Sequence, residues 1–205
     1  MPSPATTTPP ADTGFDPLVF WINHKNKILL LTGLLAVALA VGGIAEYVRT
    51  KNNAAAQELF AKADSAEGFR KVISEYSGSN SAASAYLMLA QKLREEGKFD
   101  ESTKELRTFI EKNPEHQLIS GAWTSIAANQ EAQGKPDEAL ATYQKVSTAY
   151  ANSFSAPTAL LAQARIMAAK GKTEDARRLY EQVMTQFRDN FAAQQAAQEI
   201  RRLKK

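Results

Sequence analysis

Few residues in this chain could do chemistry beyond packing. The only histidines are His24 and His116, and neither has a partner at metal-ligand spacing. Acid pairs occur at Glu95-Glu96 and Asp137-Glu138, which read as solvated carboxylates near helix ends. Glu101 and Glu138 stand where they can favour the start of a helix through its dipole. There is no Ser-His-Asp arrangement, no glycine-rich phosphate loop and no HExxH. The absence of Cys removes disulfides, thiolate catalysis and thiolate metal sites. The expectation is a protein that is not an enzyme and that takes no cofactor and no metal.

Charge adds little. The chain of 205 residues carries a net charge of +3. The one basic cluster, Arg201, Arg202, Lys204 and Lys205, is a chain end, and no basic stripe interleaves with aromatics, so nucleic acid is not expected as a partner. What remains for function is surface, and the elements that could present it follow from the patterning.

Ile28 to Ala45 holds eighteen residues without a charge. As a helix this stretch is about 27 Å long, close to the thickness of bilayer hydrocarbon. The residues before it divide into a Pro/Thr-rich tail, 1–14, and an aromatic segment, 15–27, in which Phe15, Leu18, Phe20, Trp21 and Ile22 suit headgroup depth. We expect a transmembrane helix over 28–48 and a helix over 49–64 leading out of it. Ala38-Leu39-Ala40 fits a signal-peptidase site, the alternative to an uncleaved anchor. Small residues at Ala36/Ala40 and Ala38/Gly42 would allow helix pairing within the membrane. Lys25 and Lys27 at the membrane edge are nearly balanced by Arg49, Lys51 and Lys62. A long domain crosses regardless of its charge, so the N-terminus is expected in the cytoplasm and the domain outside the inner membrane.

From residue 65 onward the chain repeats with a step of 37. Phe69, Leu106, Tyr143 and Tyr180 keep this step, as do Ala85, Ala122, Ala159 and Ala196, and Gly97, Gly134 and Gly171. A fixed period over four copies means stacked supersecondary units. Within a unit, Tyr86, Leu89, Ala90 and Leu93 form one helical face, Gly97 ends that helix, and Leu106, Phe109 and Ile110 mark a second helix ended by Pro114. The fold class is therefore all-α: about three full helix pairs, a partial first pair (second helix Ser65 to Tyr76, first helix supplied by Asn52 to Ala63) and a capping helix, Phe191 to Leu203.

These positions resemble the tetratricopeptide repeat (TPR) pattern. Its bulky, Leu, small and aromatic positions fall on Tyr86, Leu89, Ala90, Leu93, Leu106, Phe109 and Pro114, then on Trp123, Ile126, Ala127, Ala139, Tyr143 and Val146, then on Leu160, Ala164, Met167, Ala176, Tyr180 and Val183. Polar Gln130 and Gln163 depart from the pattern. The step also exceeds the usual repeat of about 34 residues, and the extra length is expected in the second helix of each pair.

The resemblance implies a concave face lined by the first helices, with partner-binding positions at Leu87, Gln91 and Arg94, at Thr124, Ala128 and Glu131, and at Leu161 and Arg165. Leu87 and Leu161 suit an apolar or amphipathic peptide, or else contact the terminal helix or a neighbouring copy. The layout of tail, span and repeat domain resembles the YfgM-type ancillary subunit of the SecYEG translocon. That resemblance implies a membrane-anchored scaffold whose partners are translocon subunits, periplasmic chaperones or exported polypeptides. A Tol-Pal-like, secretion or pilus assembly coordinator, a self-associating envelope protein and a membrane-bound enzyme accessory are the alternatives.

Overall fold

The computed structural model describes residues 17–203, and among them there are nine α-helices and no strand. The expected tail 1–14, Phe15, Lys204 and Lys205 lie outside the described residues. Helix α1 is Pro17–Lys62, α2 Ala66–Glu75, α3 Asn80–Glu95, α4 Phe99–Lys112, α5 Ile119–Ala132, α6 Pro136–Ala149, α7 Ala156–Ala169, α8 Thr173–Gln186 and α9 Phe191–Leu203. The chain divides into two units between Thr50 and Lys51.

In the first unit, α1 carries an apolar window of mean hydropathy 2.5 with none of it buried. Leu29, Leu30, Leu34, Val37, Leu39 and Ile44 are all exposed. This is a helix long and apolar enough to cross a membrane. From Pro17 it runs through the described part of the expected interfacial segment, the span and the lead-in to Lys62 without a break, so secondary structure does not separate them.

In the second unit, the last turns of α1 form the first helix of the first pair. Ala56 is fully buried, and Leu59 and Phe60 pack on the cluster of Phe69, Val72, Ala85, Leu89 and Leu93. Helices α3/α4, α5/α6 and α7/α8 are the three full pairs. Each has an aromatic and a small residue at the centre of its core: Leu106 and Phe109 with Ala83 and Ala90, Tyr143 with Ala127 and Ala159, Tyr180 with Ala164 and Ala196. Small residues opposite large ones let helices approach closely and fill the space between them. Helix α9 closes the array, burying Ala192, Ala193 and Ala196 and packing Ile200 and Leu203 on the third pair.

The turn inside each full pair is the same object repeated. The Gly97 amide donates to Arg94 O at 2.9 Å and the Lys98 amide to Leu93 O at 2.8 Å. Gly134 and Lys135 repeat this on Glu131 and Gln130, and Gly171 and Lys172 on Ala168 and Met167. These bonds satisfy the last carbonyls of the first helix and need a left-handed residue, which the φ values of 74°, 73° and 74° at the three glycines provide. The following helices start at Lys98, Lys135 and Lys172 with no side-chain cap. The acid pairs Asp100/Glu101, Asp137/Glu138 and Glu174/Asp175 sit in their first turns and offset the exposed amides. The first pair differs: α1 runs on to Lys62 with no glycine turn, and α2 starts at Ser65, whose Oγ accepts from the Gly68 amide at 3.2 Å.

Since a Cβ at Gly134 would meet nothing within 4 Å, Gly134→Ala isolates the backbone cost. It is expected to destabilise the array by about 1–2 kcal/mol. Urea unfolding followed by far-UV circular dichroism checks this. Gly171→Ala, with the same geometry, should match it.

The extra length of the repeat is not in the second helices. Helices α4, α6 and α8 have 14 residues each, the same as α5 and α7. It lies in the connections between pairs, 113–118 and 150–155. There the chain makes tight turns: His116 N–H to Asn113 O at 3.0 Å, and Ser153 N–H to Tyr150 O at 2.9 Å. Pro114 bars its preceding residue from continuing the helix, which is why the surplus is absorbed outside it.

Candidate partner-binding face

The first helices of the three full pairs, α3, α5 and α7, carry all eight residues expected to face a partner. Seven of the eight border two adjoining hollows. One, of about 570 Å³, is lined by Leu87, Gln91 and Arg94 together with Met88, Leu118 and Gly121. The other, of about 520 Å³, is lined by Ala128, Glu131, Leu161 and Arg165 with Tyr143 and Thr158. Arg94 borders both. Thr124 borders neither, and its hydroxyl donates to Ser120 O of its own helix at 2.8 Å.

The second hollow is held by a charged triad. One guanidinium nitrogen of Arg165 lies 2.9 Å from both carboxylate oxygens of Glu131, and the Tyr143 hydroxyl donates to the same carboxylate at 2.7 Å. Burial, and then the bond to Glu131, push the Tyr143 hydroxyl well above the ordinary tyrosine range, so it stays a donor. Burial works against the charge of Arg165, but its bond to Glu131 and the charge of that carboxylate prevail and hold its pKa up. The triad ties α5 to α6 and α7. Being half open to solvent, the ion pair itself is worth at most about 1 kcal/mol.

The first hollow has no such internal pairing. Gln91 donates to Glu95 at 3.0 Å, and Lys92 also reaches Glu95, but the Arg94 guanidinium has no hydrogen-bond or ion-pair partner among the described residues. Leu87 is half-buried against the core of the first full pair, and Leu161 against the cluster that includes α9. Both leucines therefore contact the array's own packing while still bordering a hollow.

Three residues of this face were not singled out from the sequence. Tyr143 occupies a repeat core position, and only its hydroxyl reaches the hollow. Met88 and Leu118 follow no repeat. A fourth contact explains Gly121: a Cβ there would stand 3.3 Å from the ring of Phe154, which reaches over from the connection before α7. The corresponding positions in the other pairs hold Ser84 and Thr158, so the glycine itself was the available signal.

Both histidines make local contacts. His116 Nδ1 accepts from the Leu118 amide at 3.1 Å and its ring sits edge-on to Phe109, while His24 Nδ1 lies 3.0 Å from Phe20 O within α1. No group of three or more His, Asp or Glu residues gathers as a metal site among the described residues. What the face can do is hold a partner through apolar contact, backbone-like polar groups and one free cation.

A family model described as a tetratricopeptide repeat-like domain matches residues 19–202. No curated protein matches the chain. Among solved structures, the nearly identical TPR-like repeats of a Podospora anserina kinesin light chain candidate are similar at 20% identity and a TM-score of 0.48, covering 58% of this chain and 64% of that one. Pseudomonas aeruginosa pilF is similar at 17% identity and the same TM-score of 0.48, covering 67% of this chain and 66% of that one. The chain thus spans less than two thirds of the length of the first of these structures.

Proposed function

Because the chain belongs to the tetratricopeptide repeat-like domain family, whose arrays mediate protein–protein interaction, we propose that it is a membrane-anchored scaffold of the bacterial envelope. In this reading residues 28–48 span the inner membrane, the N-terminus is cytoplasmic, and the repeats stand in the periplasm. The array receives exported polypeptides or their chaperones beside the Sec translocon. The observation that carries it is the contrast between the two units: an 18-residue window with no buried side chain, and a compact array with two open hollows on one face. An apolar helix surface of that length is stable in lipid and costly in water.

Site-specific photo-crosslinking in cells tests both halves. A photoreactive residue at Leu35 is expected to capture translocon subunits, and one at Leu161 chaperones or exported chains. Recovery of Tol-Pal or pilus-assembly proteins from Leu35 would replace the translocon assignment. Recovery of no protein from Leu161 would overturn the scaffold reading. Deleting 28–45 is expected to move the chain from the membrane pellet to the soluble fraction, and retention in the pellet would count against the anchor.

A further inference from the structure

The two hollows adjoin at Arg94 but differ in their electrostatics. In the α5/α7 hollow the cation is already occupied, since Glu131 closes on Arg165 at 2.9 Å from both oxygens. In the α3/α5 hollow Leu87, Met88 and Leu118 provide apolar wall, and Glu95 is engaged by Gln91 and Lys92. Arg94 alone among the cations bordering either hollow has no partner among the described residues, and its charge is already felt at Tyr143. An exposed guanidinium beside apolar wall is complementary to a carboxylate flanked by apolar side chains.

Where that carboxylate sits in its own chain also follows. Arg94 stands at the junction of the two hollows, not at a closed end, so surface continues on both sides of it. A chain passing from one hollow to the other presents an internal side chain at that point. A chain terminus would leave one hollow empty.

We propose that this face binds a polypeptide segment with an internal Asp or Glu at Arg94 and Leu, Ile or Met residues next to it, seated against Leu87, Met88 and Leu118. The proposal rests on the scaffold reading and specifies its ligand class. Recognition through one exposed ion pair makes affinity fall with added salt, while the apolar contacts persist.

The test is selection from a random 12-residue peptide library displayed on phage, against the full chain in detergent micelles, followed by anisotropy titration of the fluorescein-labelled winners. The winners are expected to share an internal acidic residue beside an aliphatic one. Arg94→Gln should weaken them about tenfold, the size expected for loss of one charge-assisted contact. Arg94→Glu should restore binding to a winner whose acidic residue is changed to Lys. Lys62→Gln, remote in the sequence from both hollows and exposed, should leave affinity unchanged. Winners without an acidic residue, C-terminally anchored winners, an effect of Arg94→Gln below twofold, or no winners at all would each overturn the proposal. None of these touches the scaffold reading, which stands or falls on capture at Leu161 in cells.

Discussion

Phe109→Ala is expected to destabilise the array by about 3–5 kcal/mol, the range for removing a buried aromatic ring. That is a large part of the 5–15 kcal/mol or so that separates folded from unfolded domains. Phe109 is fully buried and joins three helices: its cluster draws Ala83, Tyr86 and Ala90 from α3, Leu106 from α4, and Ile119, Ala122 and Ile126 from α5. The ring therefore glues one pair internally and also to the next. In stacked repeats, stability is a sum of units and nearest-neighbour interfaces, so one substitution here subtracts from both. The flanking pairs are expected to unfold at lower urea than in the natural chain. Phe154→Ala is the comparison, because that ring is 63% exposed and its removal should cost about 0.5 kcal/mol or less. Equal shifts in urea midpoint for the two variants would refute the placement of Phe109 at this junction.

The second large effect concerns a polar pair inside the core. Ser102 and Asn129 are buried, and the Ser102 Oγ donates to Ala90 O at 2.7 Å while accepting from Asn129 Nδ2 at 2.9 Å. Asn129 Nδ2 also donates to Thr103 Oγ1 at 3.1 Å. One step of 37 later the same two positions are Ala139 and Ile166, both buried in one apolar cluster. The fold thus solves the same contact twice, once with hydrogen bonds and once without. Ser102→Ala alone is expected to cost about 1–3 kcal/mol, because it removes one hydrogen bond from the Ala90 carbonyl and one from the Asn129 amide in a buried site. Asn129→Ile alone should also destabilise, by setting an aliphatic chain against the Ser102 hydroxyl. The double variant, which copies the later repeat, should return to within about 1 kcal/mol of the natural chain, a coupling measurable by a double-mutant cycle. Additive losses would show that the two sites are not the same contact in two chemistries.

Much of the architecture could be read from the chain because the repeat carries its own punctuation. Gly97, Gly134 and Gly171 fall where a left-handed residue must stand, and the small and large core positions recur at the same step, so helix pairs, the turn within each pair and the terminal α9 follow from pattern alone. The surplus length did not follow. A period counts residues without saying whether they are helical, and Pro114, which settles the matter at one connection, has no counterpart at 151. The face was legible only as a set of positions. Its division into a paired and an unpaired hollow depends on Tyr143 reaching past its core site to Glu131, and on Phe154 folding back over Gly121. These are contacts between residues 12 apart and 33 apart in sequence, which periodicity cannot resolve.

Helix α9 has a consequence for assembly. A stack of like units is in principle open-ended, since each new copy can add to the exposed flank of the last. The exposed residues of α9 are mostly polar, among them Gln194, Gln198, Arg201 and Arg202, with Phe191 exposed at its start, while Ala192 and Ala196 are consumed against the preceding pair. Adding a further copy there would strip water from amides and guanidinium groups with nothing to receive them. The exposed face of α9 is therefore expected to disfavour end-to-end addition of like units.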